Sequence, residues 1–157
     1  MNLSSTSQKF QDHLNKLCPD LKVVEYSQGA RTAEDAAKAI GCKVGQIAKS
    51  LVFKGTNTGK PYIFIVSGPN RLNEQKMTDV VGEEIEKADA DFVKEKTGFS
   101  IGGIPPFAHP QNFDTYLDKD LLNYDFVWAA AGMPQAVFKI KPANLMLYTK
   151  AGLIETD

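Results

Sequence analysis

With 157 residues, 43% of them hydrophobic and 24% charged, the chain has the length and composition of one soluble domain with a sizeable core. Eighteen basic and nineteen acidic side chains leave a formal charge of −1. Proteins that rely on non-specific attraction to phosphate are strongly basic, so any nucleic-acid contact here is confined to one end or one loop.

Two cysteines, Cys18 and Cys42, do not make a disulfide framework, and with His13 and His109 far apart they lack metal-type spacing. A reducing, cytoplasmic setting is expected. Met1 to Phe10 has no basic region followed by an apolar stretch, so no signal peptide is expected. The longest apolar run, Phe126 to Ala131, is far too short to span a bilayer. No repeat, low-complexity tract or Pro/Gly/Ser linker divides the sequence, and a single domain over residues 1–157 is expected.

In chain order, Phe10, His13, Leu14 and Leu17 recur at helical spacing after the capping candidates Ser5 and Thr6, predicting an amphipathic helix that ends near Cys18-Pro19. Lys22 to Tyr26 reads as a short strand. Thr32 as N-cap, Asp35 at the third position, a face of Ala33, Ala36, Ala37 and Ile40, and the stop Gly41 predict a second helix. Ile47 to Lys54 and Tyr62 to Val66 flank a turn at Gly55–Gly59, as in a hairpin. Tyr62 to Val66 is apolar throughout, which suits a central strand buried on both faces.

Asn73 caps a predicted helix to Val81, Ile85 to Ala88 is a further strand, and Asp89 caps a helix ending at Gly98. Gly98 to Pro110 breaks all periodicity. Phe113 to Leu117 and Tyr124 to Ala131 read as strands with a helical turn between them. Gly132 to Gln135 is a turn into a strand at Ala136 to Ile140, and Pro142 opens a short closing helix. Frequent hairpins and more strands than helices predict an α/β (α+β) fold with a mixed, largely antiparallel, barrel-like sheet and flanking helices.

Lys49 is the most informative residue. Strand alternation places it with Ile47, Leu51 and Phe53, where an ammonium group must reach an edge, a partner or a ligand. The alternative has Ala48, Ser50 and Val52 facing the core and Lys49 on a solvated face. A second feature is the loop from Thr97 to Phe107, with glycines at 98, 102 and 103 and a stiff exit at Pro105 and Pro106. Such a loop can present rigid backbone groups to a substrate; equally, it can be a tight connection capped by Gly98. It matches neither a P-loop nor a dinucleotide fingerprint.

His13, on an apolar helix face, is expected to be packed there. His109 has no identifiable partner carboxylate, and neither cysteine has a base that would make it a nucleophile. Glu83, Glu84 and Glu86 read as a solvated acidic surface.

Taken together, residues 30–37, Gly45 to Phe53, Gly98 to Phe107 and Ala130 to Gly132 resemble the YbaK/EbsC family, which includes the editing insertion of bacterial prolyl-tRNA synthetases. The likeness runs from the second helix to the closing strand. It implies an aminoacyl-tRNA deacylase that cleaves the ester between a wrong amino acid and the 3′-terminal ribose, on substrates of the tRNA(Pro) type carrying a small amino acid. It assigns Lys49, at the acceptor end, and Gly102 to catalysis, with Gly103, Ile104, Pro105, Pro106, Ala131 and Gly132 binding substrate. It implies no metal, no cofactor and no protein nucleophile. The tRNA acceptor end is the expected partner, with a synthetase as a further one and no membrane. Where some members carry a serine, this chain has Ala130, which argues against the cysteine-specific branch. The rival reading is a non-catalytic tRNA- or synthetase-binding domain of the same fold, and a small-molecule ester or amide hydrolase is a third.

Overall fold

Residues 3–26, 32–109 and 111–156 are described by the structure, a computed structural model. Ala30 and Arg31 of the first motif, and Pro110 at the end of the aperiodic segment, lie outside the described residues. Helix α1 (Ser5–Leu17) is capped by Ser4, one residue before the expected candidates, through its hydroxyl and the Ser7 N–H. Phe10 and Leu14 point inward as expected, but His13 is exposed, which corrects the packed position assigned to it. Gln11 takes the inward place instead: its amide donates to the Leu21 carbonyl and accepts from the Val23 N–H, tying α1 to strand β1 (Val23–Glu25).

Helix α2 (Ala33–Ile40) is capped by Thr32, α3 (Glu74–Val81) by Asn73 and α4 (Ala90–Thr97) by Asp89, each side chain accepting a first-turn N–H. The three helices end on left-handed glycines, Gly41, Gly82 and Gly98. The hairpin is formed by β2 (Ile47–Gly55) and β3 (Pro61–Ser67). Then follow β4 (Ile85–Lys87), β5 (Asp114–Asp118), β6 (Val127–Ala130), β7 (Ala136–Ile140), α5 (Pro142–Thr149) and β8 (Gly152–Ile154). Strand β8 and the short 3₁₀ turn Val44–Gln46 carry no sequence pattern that announces them; the 3₁₀ turn Lys119–Asn123 fills the place of the expected helical turn.

Among the described residues the strands form one eight-stranded mixed sheet, ordered β1-β7-β6-β2-β3-β5-β8, with β4 pairing β2 outside that path. Pairs β1–β7, β2–β3, β2–β4 and β6–β7 are antiparallel, whereas β2–β6, β3–β5 and β5–β8 are parallel. Strand β3 is buried on both faces. Ile63 and Ile65 join the core that includes Phe10, Leu14, Phe138 and Leu145, while Phe64 and Val66 join the one around Phe53, Met77 and Ile154. Each such side chain contributes roughly 1.5–3 kcal/mol by leaving water.

Glu84 and Glu86 are exposed, as expected of a solvated acidic surface, but Glu83 departs from that reading. It is buried, and it accepts from the Tyr62 hydroxyl, the Thr58 hydroxyl and the Asn57 and Thr58 N–H groups. The Tyr62 hydrogen bond, followed by that of Thr58, holds its carboxyl down at about 2. The hairpin turn is thereby anchored to the start of β4.

Candidate active site

Strand β2 is forked on the edge away from β3. It pairs with β6 only at Ile47 and Ala48, and with β4 only from Phe53 to Gly55. Between these points no strand among the described residues pairs with residues 49–52 on that edge. The ladder sets the direction of the backbone there: Gly55 donates to Lys60 on the β3 side, whereas Val52 accepts from Ala88 on the other. Alternation therefore turns the Ser50 N–H and C=O toward the bare edge.

A cleft of about 610 Å³ opens at this fork. On one face of β2 it is walled by Lys49, Leu51 and Phe53 with Asn70, Arg71, Leu72 and Glu74. On the other lie Ser50 and Val52 with Ala88, Val93, Ile101 and Ile104. Its lining is mixed, somewhat more apolar than polar, and its charged groups are Lys49, Arg71 and Lys87 against Glu74. Three cations to one carboxylate make a local positive field in a chain whose formal charge is −1.

Lys49 is half-buried, and its ammonium group donates to the Gly68 carbonyl at 3.0 Å. Burial pulls its pKa below the ordinary lysine value; Glu34 and Asp118 oppose this and Arg71 reinforces it. The Gly68 carbonyl is itself fixed. A Cβ at residue 68 would lie 2.3 Å from the Val44 carbonyl oxygen, so only glycine lets these backbones approach. Asp118, 1% exposed, holds the turn behind it by accepting from the Ser67 N–H at 3.0 Å and the Asn70 amide at 2.8 Å. Neither Asp118 nor Asn70 has a sequence signal beyond being polar at a strand end. Their role comes from the β3–β5 pairing.

The aperiodic loop reaches the cleft through Ile101, which is exposed, and Ile104, which is buried. Gly103 is built into the protein rather than facing the cavity. Its N–H donates to Ser100, its carbonyl accepts from Gly132, and a Cβ there would sit 2.6 Å from Met133 Cα. Gly102, at φ 92°, lies over Pro134. The Pro105 carbonyl accepts from His109 Nε2–H at 2.7 Å, and the imidazole lies edge-on to Phe99 and Phe113. Burial pushes the His109 pKa down, which suits a neutral strut across the loop.

Of the residues assigned from sequence, Lys49 and Ile104 thus share one cleft. Pro106 lines a second cavity with His109 and Tyr148, Gly132 lines a third with Phe99 and Met133, and Ala131 is in the core. Neither cysteine is in the Lys49 cleft. Burial pushes the Cys42 thiol up, away from the thiolate. Among the described residues no three His, Cys, Asp or Glu side chains gather as a metal set, and no helix is long and apolar enough to cross a membrane.

In the sequence, Ser50 figures only in the alternative that turns Ala48, Ser50 and Val52 toward the core. Its hydroxyl is buried at the cleft wall and has no hydrogen-bond partner among the described residues.

Comparison with known proteins gives a consistent picture. The profile of the family described as "Aminoacyl-tRNA editing domain" matches residues 27–147. The chain is 32% identical to the YwhH protein of Bacillus subtilis (strain 168), over 78% of each chain. It is 26% identical to an Enterococcus faecalis protein described as a candidate Cys-tRNA(Pro)/Cys-tRNA(Cys) deacylase, over 83% of this chain and 79% of the other. A crystal structure of a candidate trans-editing enzyme for prolyl tRNA synthetase superposes with a TM-score of 0.92 at 45% identity, covering 98% of both chains.

Proposed function

The chain belongs to the aminoacyl-tRNA editing domain family, and we propose that it clears mischarged tRNA(Pro)-type substrates carrying a small wrong amino acid, in trans and in the cytoplasm. The observation that carries this reading is the half-buried Lys49, held by the Gly68 carbonyl where a partly apolar cleft meets a cationic mouth. A terminal nucleotide brings phosphate and ribose oxygens to that mouth, and the ester bond can then lie at the bare edge of β2.

In the proposed reaction a water oxygen attacks the acyl carbon, the bond to the ribose oxygen breaks, and that oxygen leaves as the ribose hydroxyl after taking a proton. The products are the free amino acid and uncharged tRNA. An aminoacyl ester is already activated, so positioning of ester and water supplies much of the acceleration without a protein nucleophile. The proposed metal independence has the same basis. Such an activity answers a physical limit, because one methylene is worth only about 1–3 kcal/mol of discrimination in a synthetase pocket. A prolyl-tRNA synthetase is the proposed source of mischarged substrate and a candidate partner, in keeping with the description of the structural relative.

The test is a deacylation panel on tRNA charged with proline, alanine, cysteine, serine and threonine. Hydrolysis of a small non-cognate ester, with prolyl-tRNA spared and no effect of chelator, is expected. Folded protein that binds charged tRNA but hydrolyses none of the five would instead identify a binding module.

A further inference from the structure

We infer that Ser50 recognises the α-ammonium group of the esterified amino acid, and so sets the enzyme's preference for aminoacyl over other acyl esters; this rests on the editing reading of the same cleft. The starting observation is the buried Ser50 hydroxyl with no partner among the described residues. An unpaired hydroxyl is unfavourable in a folded protein, and is ordinarily matched by a neighbouring group, an ordered water or a ligand. The neighbours on its face of β2 cannot match it: Ala48, Val52, Val93 and Ile104 are apolar side chains of one core cluster. The matching group therefore comes from the cleft that Ser50 lines.

Its position indicates which group that is. Lys49 and Ser50 are consecutive, so they stand on opposite faces of β2 and straddle the bare edge between the β6 and β4 pairings. With a ribose or phosphate oxygen held on the Lys49 side, the ester carbonyl lies at the edge and the α-carbon beyond it, toward Ser50. The α-carbon of every aminoacyl ester carries an ammonium group with N–H donors to place. Ser50 offers two acceptors there, its hydroxyl oxygen and its own carbonyl, which the ladder turns to the same edge. The side chain of the amino acid is then left to the apolar wall of Val52, Val93 and Ile104. The alternative occupant of the Ser50 hydroxyl is a side-chain hydroxyl of serine or threonine, and the experiment separates the two.

Wild type and Ser50→Ala are compared on the best substrate of the deacylation panel and on the same acyl group without its amine, propionyl-tRNA for alanyl-tRNA or 3-mercaptopropionyl-tRNA for cysteinyl-tRNA. Each rate is divided by the spontaneous hydrolysis of that ester. The expected result is a preference of wild type for the amine-bearing ester by roughly tenfold or more, as for a charge-assisted hydrogen bond. Ser50→Ala should lose that preference by slowing only the amine-bearing ester. Its thermal midpoint should be unchanged or raised, because no internal hydrogen bond is lost, and Ser50→Thr, which keeps the hydroxyl, should restore part of the preference. Equal slowing of both esters would overturn the inference in favour of a structural role, and so would unchanged rates on both. A Ser50→Ala defect confined to seryl- and threonyl-tRNA would overturn it in favour of side-chain recognition. Wild-type protein inert on every charged tRNA would remove the editing reading itself, and this inference with it.

Discussion

Replacing Asp118 with alanine tests how Lys49 is held, from a position that does not line the cleft. Asp118 accepts from the buried Ser67 N–H and the Asn70 amide through one oxygen, and from the Asp120 N–H through the other. Alanine would leave the Ser67 N–H buried without a partner, at a cost of about 1–3 kcal/mol. It would also remove the cap of the 119–123 turn, about another 1 kcal/mol. A total of roughly 2–4 kcal/mol lowers the thermal midpoint of a chain this size by about 5–15 °C. The functional consequence runs through Gly68, which follows Ser67 and whose carbonyl receives the Lys49 ammonium. Deacylation by Asp118→Ala should fall at temperatures where the protein remains folded. In a Lys49→Ala background the same substitution should have little further effect on rate, since both act through one contact. Urea unfolding and single-turnover deacylation on the four proteins of this cycle are the assay. Stability within about 0.5 kcal/mol of wild type, or independent and additive rate effects, would refute the proposed support.

Two further outcomes follow from the charges. The Glu83 carboxyl, held at about 2 by Tyr62 and Thr58, lies below its unfolded value, so its contribution to stability is complete above that value and lost as pH falls through about 2. Glu83→Gln should flatten the stability loss between about pH 4.5 and 2, and an acid unfolding curve of unchanged steepness would contradict this. Arg71 and Lys87, exposed at the cleft mouth, should meet phosphates: the Arg71→Ser, Lys87→Ala variant should raise KM, leave kcat near wild type, and reduce the salt dependence of kcat/KM by a slope of about 1–2. An unaltered salt slope would place the RNA elsewhere.

Much of the fold is legible in the sequence because local chemistry and tertiary packing agree there. Thr32, Asn73 and Asp89 read as caps and act as caps, and the all-apolar run from Tyr62 to Val66 is the strand buried on both sides. Failures occur where tertiary contacts decide. Gln11 shares the inward face with Phe10 and Leu14, where its amide pairs with the Leu21 carbonyl and the Val23 N–H, while His13 turns outward. Glu83 looks like surface charge until the turn at 57–58 and Tyr62 close around it. The site divides in the same way. Lys49 stands out as a charge on an apolar strand face, but strand alternation says nothing of the fork in the sheet that gives it a cleft. The glycines of the loop signal close backbone approach, and at Gly103 the approach is to Met133 of the protein's own turn. Ser50 carries no sequence signal of ligand binding, because a serine in a strand is ordinary until its hydroxyl is seen to be buried without a partner among the described residues.

Whether Lys49 belongs to a hydrolytic site or to the surface is decided by single-turnover deacylation by Lys49→Ala on a preparation whose thermal unfolding is also recorded. Loss of about a hundredfold or more in rate, the scale seen when one preorganised donor is removed, with a midpoint equal to wild type or slightly higher, is the predicted result. Lys49→Arg should keep part of the activity, since it retains the charge but changes reach and geometry. Unchanged turnover by a folded Lys49→Ala protein would instead make Lys49 a surface residue with no part in hydrolysis.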